Sequence, residues 1–209
     1  MEFNTADQEE IEVLKKWWKE NGTSTVAGVV IGLALLFGWQ GYSGYVDSQG
    51  MAASQYFEQM QSALIQKESE QAESFGNQLM DQYPGTIYAA NGALGLAALQ
   101  VERGDGAAAR VHFQWVLENS NFESPRQLAQ LGMARLYLAE GDVESALKRL
   151  SDEEHGIYAS HFSEIKGDAL SRKGDHVAAQ SAYVEAIQLA DSTDQRRALL
   201  EMKLSEVTQ

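Results

Sequence analysis

The chain has no cysteine and only two prolines, Pro84 and Pro125, in 209 residues. The first absence excludes disulfide frameworks, thiolate nucleophiles and Cys-based zinc sites. The second leaves long stretches free of residues that interrupt helices. Positive charge is also scarce: 16 Lys and Arg stand against 30 Asp and Glu, for a net charge of −14. Phosphate binding needs clustered cations, so nucleic acid is excluded as the main partner. Residues 1–22 carry net −3 and residues 47–209 net −11. The larger, acidic part is therefore repelled by anionic lipid.

Catalytic patterns are missing too. There is no HExxH, no G-x-S-x-G, no P-loop and no Rossmann glycine pattern. The four histidines are His112, His155, His161 and His176. His161 and Glu164 lie three apart on an expected helix, but no third ligand accompanies them at helical spacing. His112 and His176 follow expected turns and read as surface residues. Gly92-Ala-Leu-Gly95 reads as close helix packing, and Glu153-Glu154 as a solvated face. The expectation is a protein with no catalytic residues, no metal and no cofactor.

No charged residue occurs from Asn21 to Val46. Residues 23–45 supply the roughly 20 positions that a bilayer core requires. Trp17 and Trp18 precede this stretch, and Trp39, Tyr42 and Tyr45 end it. Amphipathic rings favour both headgroup levels. The 21 residues from Trp18 to Trp39 rise roughly 30 Å as helix. A cleaved signal peptide needs a cationic start directly before a shorter apolar run. Here an acidic, polar tail comes first. Lys15, Lys16 and Lys19 flank the N-side, and no cation follows until Lys67. That asymmetry predicts an N-terminus in the cytoplasm and an exported C-terminal bulk. Gly28 and Gly32 within the span, with Ala34 and Gly38 after them, would let another helix approach closely. The alternative is that glycine is simply common in membrane helices. In the tail, Asp7-x-x-Glu10 forms a capping-box pattern, followed by Ile11, Leu14 and Trp18 on one helical face.

The remainder, residues 46–209, contains a repeat. Gly-Asp recurs at Gly104-Asp105, Gly141-Asp142 and Gly174-Asp175. An alanine follows five residues after each Gly, at Ala109, Ala146 and Ala179. A large residue comes four later, at Phe113, Leu150 and Tyr183, and a small one sits seven before, at Ala97, Ala134 and Gly167. A fainter copy includes Ala72 and Pro84. Each unit reads as helix, turn, helix, with Gly providing the turn conformation and Asp capping the next helix. One such pair cannot bury its apolar face alone, so pairs must stack. The pattern resembles the tetratricopeptide repeat, best in Gly167, Leu170, Gly174, Ala179, Tyr183 and Ala186. The unit at 134–150 departs, with Leu150 and Glu153 where an aromatic and an alanine are usual. The expected fold is all-α: one N-terminal transmembrane helix followed by a tetratricopeptide-like helical-hairpin solenoid.

By repeat geometry, an inner partner-binding face would include Asn91, Leu94, Ala98 and Val101. It would continue through Leu128, Leu131, Arg135 and Leu138 to His161, Glu164, Asp168 and Ser171. About half of these are expected to be exposed, the others packing between repeats.

The stretch Glu10-Ile-Glu-Val-Leu-Lys-Lys-Trp-Trp-Lys-Glu-Asn-Gly22, the span ending Gly38-Trp39, and Gly167-Asp-Ala-Leu-Ser-Arg-Lys-Gly-Asp175 together resemble the YfgM family. Those proteins are ancillary subunits of the bacterial SecYEG translocon. The resemblance implies an inner-membrane protein with a periplasmic repeat domain, a break at Glu20-Asn21-Gly22, and association with SecYEG and a PpiD-type membrane-anchored chaperone. It further implies a role in passing newly exported proteins to chaperones, and a tail linked to envelope-stress signalling. A tetratricopeptide scaffold for another envelope complex is the alternative. A membrane-anchored hydrolase lacks any catalytic constellation.

Overall fold

A computed structural model describes residues 5–151, 156–191 and 193–208. Glu153, Glu154 and His155 lie outside the described residues, and the side chain of Asp7 is likewise not described. Among the described residues the chain is helical, without strands. Its α-helices are α1 (Thr5–Ile65), α2 (Ser69–Gln82), α3 (Ile87–Glu102), α4 (Gly106–Asn119), α5 (Glu123–Glu140), α6 (Val143–Leu150), α7 (Ala159–Lys173), α8 (His176–Leu189) and α9 (Arg197–Val207). A 3₁₀ turn at Gly156–Tyr158 precedes α7. Tertiary contacts divide the chain into residues 1–49 and 50–209.

In the first unit the helix runs without interruption through Glu20-Asn21-Gly22, where the family resemblance implied a break. Side chains explain the continuity. Asn21 donates to the Trp17 carbonyl at 3.1 Å, and the Thr25 hydroxyl donates to the Asn21 carbonyl at 3.0 Å. Both bonds follow the helical i to i−4 pattern and leave no turn competing with the helix. The Trp18 ring lies over Gly22, where an added Cβ would sit 3.2 Å from it. Gly22 thus accommodates an indole rather than a bend.

The second unit stacks helical hairpins. The three Gly-Asp turns share one construction. Gly104, Gly141 and Gly174 have φ of 78°, 83° and 84°, a conformation that side chains resist. The amide of the following Asp reaches back to the carbonyl of Gln100, Tyr137 or Leu170 at 2.9–3.0 Å. That bond closes the first helix with a Schellman-type end. The Asp carboxylate then accepts from the amide of Ala108, Ser145 or Ala178 at 2.9, 3.0 and 3.1 Å. It therefore opens the second helix with an N-cap. At the Pro84 turn, Thr86 performs the cap instead, accepting from Ala89 at 3.2 Å.

Packing explains the repeat's small residues. Ala97, Ala109 and Phe113 share one apolar cluster, and Ala134, Ala146 and Leu150 share the next. A Cβ on Gly167 would stand 2.6 Å from Tyr183, so α7 and α8 meet there at glycine distance. A third cluster joins Ala53, Met60 and Ala63 of α1 to Ala72 and Leu79 of α2 and Leu96 of α3. Each fully buried leucine, such as Leu79 or Leu96, contributes roughly 1.5–3 kcal/mol. Gly92 and Gly95 face Leu79 and Met60, where added Cβ atoms would come within 2.9 and 3.0 Å. The sequence pattern missed Gly132, which takes the Phe113 ring of the preceding hairpin at 2.4 Å from a would-be Cβ.

Candidate interaction surfaces

Two surfaces follow from these elements, one in each unit. In the first, α1 from Glu10 to Ile65 is the helix among the described residues that is long and apolar enough to cross a bilayer. Val29, Val30, Ile31, Leu35, Leu36 and Phe37 are all exposed, and 6% of its most apolar window is buried. An apolar surface this continuous is unfavourable in water and matched to hydrocarbon. Lys15, Lys16 and Lys19 are exposed before it, alongside Trp17 and Trp18, whose ring centroids lie 6.4 Å apart. Trp39, Tyr42 and Tyr45 are exposed at its far end. Gly28 and Gly32 have nothing within 4 Å of an added Cβ, so their side of the helix stands open.

The second surface is the face of α3, α5 and α7, the first helices of successive hairpins. Ala98, Val101, Leu128 and Arg135 are exposed there. Asn91, Leu94, His161, Asp168 and Ser171 are half-buried. Leu131, expected on this face, is 1% exposed and belongs to the core with Phe162 and Ile165. Leu138 is also buried. Of the expected α5 stripe, Leu128 and Arg135 are thus exposed and Leu131 and Leu138 pack between helices, as helices in a stack share core and surface roles.

Glu164 departs from the expectation for a different reason. It is 7% exposed and is engaged by α9, which packs on α8 and reaches α7. Arg196 and Lys203 each donate to the Glu164 carboxylate at 2.8 Å. Lys203 also binds Asp168 at 2.8 Å, and Asp168 accepts the Tyr183 hydroxyl at 2.8 Å. Arg196 further clamps Asp194 at 2.5 Å. Burial alone pushes the Glu164 carboxyl up, but Lys203 and Arg196 outweigh it and hold it below the ordinary value. Burial pulls the Lys203 ammonium down, and Asp168 and Glu164 more than reverse this. Burial and the hydrogen bond to Asp168 push the Tyr183 phenol up. Desolvation of these ions is offset because each finds an opposite charge and hydrogen bonds. The spacing held a signal for this pairing. Glu164 and Asp168 lie four apart on α7, and Arg196, the N-cap of α9, lies seven residues before Lys203.

His161 sits beside this network, edge-on to Tyr158 with centroids 5.9 Å apart. Burial, then Arg196 and Arg135, lower its pKa, so the imidazole is held neutral. Its Nδ1 is shielded and without a hydrogen-bond partner. His112 is half-buried rather than at the surface, and burial lowers its pKa too. Among the described residues, no group of His, Asp and Glu is arranged to hold a metal ion. The network couples helices and presents no nucleophile beside a base.

Comparison with known proteins agrees with this architecture. The tetratricopeptide repeat-like domain family matches residues 15–209. The chain belongs to that family. This member of the tetratricopeptide repeat-like family is also similar along its full length to curated proteins named ancillary SecYEG translocon subunit. The Haemophilus influenzae protein is 26% identical over 207 residues, covering 99% of this chain and 100% of the relative. The Escherichia coli K12 protein is 24% identical over 211 residues, covering 100% of both. The Neisseria gonorrhoeae protein is 28% identical over 216 residues, covering 99% of this chain and 100% of the relative. The resemblance to the YfgM family, drawn from the tail, span and last repeat, is thereby borne out.

Proposed function

We propose that this tetratricopeptide repeat-like protein is a non-catalytic, membrane-anchored adaptor of the SecYEG translocon. In this reading residues 23–45 cross the inner membrane, residues 1–22 stay in the cytoplasm and residues 46–209 form a periplasmic domain. The domain associates with a PpiD-type chaperone and helps pass newly exported proteins to periplasmic chaperones. The observation that carries the reading is end-to-end similarity, span included, to proteins named as ancillary subunits of that translocon. The lysine asymmetry around the span supports the orientation. The open side at Gly28 and Gly32 supports helix–helix contact within the membrane. The exposed face containing Ala98, Leu128 and Arg135 supports contact with another polypeptide.

The test is recovery of the tagged full-length chain in mild detergent, combined with photocrosslinking in cells from Gly28, Gly32 and Ala98. The expected result is recovery of SecYEG subunits, span crosslinks to a translocon helix, and Ala98 crosslinks to an exported protein or chaperone. Recovery of a different envelope complex without translocon subunits would overturn the reading.

A further inference from the structure

The other side of the stack carries a second candidate surface. A groove of about 430 Å³ lies between α4 and α6, with α5 as its floor. It arises because α6 is short. α6 ends at Leu150, the position equivalent to Phe113 in α4 and Tyr183 in α8. Those two helices continue six residues further, to Asn119 and Leu189. Among the described residues, α6 therefore does not flank the turns of α4 beyond Phe113. Val111, Trp115, Met133 and Tyr137 give the groove apolar walls and floor. Val111 is 66% exposed, although it is a large aliphatic residue in the middle of a helix.

Charge decides what fits. Arg110 and Arg149 both line the groove in a chain of net charge −14. Arg110 stacks over Tyr137 at 5.0 Å and pairs with Glu140, while its shielded Nε has no acceptor. Arg149 is half-buried in the last turn of α6 and makes no ion pair among the described residues. The acidic residue of the lining, Glu118, is held by Gln114 at 2.7 Å. A guanidinium with no ion pair among the described residues, beside aromatic and aliphatic walls, suits a carboxylate next to a bulky apolar side chain.

We propose that the α4–α6 groove binds a polypeptide segment of that chemistry: an acidic residue adjacent to a large apolar one, with the carboxylate on Arg149 and the apolar side chain against Val111 and Trp115. The adaptor would then hold a partner on its outer side independently of the α3–α5–α7 face. This deepens the adaptor reading and rests on it for the premise that the domain meets other polypeptides.

The experiment uses the full-length chain in nanodiscs and a peptide probe, Gly-Ser-Asp-photoleucine-Phe-Ser-Gly. Labelling is read by mass spectrometry on the tryptic fragment 111–126, which carries most of α4. The expected result is concentration-dependent labelling of that fragment. Labelling should fall about fivefold or more when the probe's Asp becomes Asn, a loss of about 1 kcal/mol. Arg149→Gln should produce a similar loss, with the circular dichroism melt unchanged. If Arg149→Gln fails to fold, the Asp and Asn probes on the unsubstituted protein decide the matter alone. Equal labelling by both probes, or labelling spread evenly over the domain, overturns the proposal. Recovery of SecYEG from cells is measured separately. Its failure would sink the adaptor reading and leave the groove result standing.

Discussion

In residues 5–49, Leu35, Leu36 and Phe37 point away from the rest of their own unit, whereas in residues 50–208, Leu79, Leu96 and Leu131 are enclosed by neighbouring helices. Both regions are helical, so backbone hydrogen bonding does not distinguish them. The difference lies in where the apolar side chains go. The stretch from Val26 to Trp39 in the first region has no charged face and needs a surrounding medium to cover it. The second alternates apolar with charged faces and covers itself by stacking. Glycine follows the same division. Gly28 and Gly32 face open space, whereas Gly132 and Gly167 sit under aromatic rings.

Substitutions should break this contrast in opposite ways. The largest effect is expected from charge in the first region. Ile31→Asp should cost roughly 2.5–3.5 kcal/mol of insertion free energy. It should shift the protein from the membrane pellet to the soluble fraction on carbonate extraction while leaving the melt of the repeat domain in place. Gly167→Val does the reverse. It places atoms within the Tyr183 ring's volume and should destabilise the stack by roughly 1–3 kcal/mol. The readout is the thermal melt of the full chain in detergent, with membrane association unaffected. Gly28→Val, by comparison, should leave that melt unchanged, because nothing lies near the Cβ it adds.

A smaller effect sharpens the picture inside the second region. Glu164→Gln leaves Arg196 and Lys203 without their shared carboxylate and should cost about 1–2 kcal/mol. Amide exchange in α9 should accelerate before exchange in α3 does. Acid should act on the same element. Glu164 and Asp194 both have lowered folded-state pKa values. Their contribution is therefore complete above the ordinary carboxylate range and is lost as pH falls through the depressed values. Lys203, raised in the fold, contributes at all pH values below the ordinary lysine range and is lost only at strongly alkaline pH. Hydrogen exchange of α9 should thus be flat from about pH 7 to pH 5, once intrinsic rates are corrected, and increase below about pH 4. The smallest effect is expected at the caps. Asp175→Ala should lower stability by about 1 kcal/mol, and Asp142→Ala should also lower it, each measured by denaturant titration.

Much of this was legible in the residues because it is local. The absence of charge from Asn21 to Val46, and its aromatic and lysine flanks, mark the apolar helix without any tertiary information. The Gly-Asp turns were equally readable, since a left-handed glycine and an Asp cap act within a few residues of each other. The face assignment was read less well. Leu131 in α5 and Glu164 in α7 belong to helices whose inward and outward sides depend on where α6 and α9 pack, and those helices follow later in the chain. The break at Glu20-Asn21-Gly22 was implied by the family resemblance alone, and α1 runs through it. Here Trp18 covers the glycine and Asn21 bonds back along the helix.

Sequence alone determined the helical class, the apolar span and the hairpin period, because each depends on short-range spacing. Only the tertiary structure decided that Phe113 lies over Gly132, that α9 closes on Glu164 and Asp168 through two cations, and that a shortened α6 leaves a groove beside Arg149. Those features join residues roughly twenty to forty positions apart. Their partners are selected by packing and charge between helices, and no periodicity within a single helix encodes the choice.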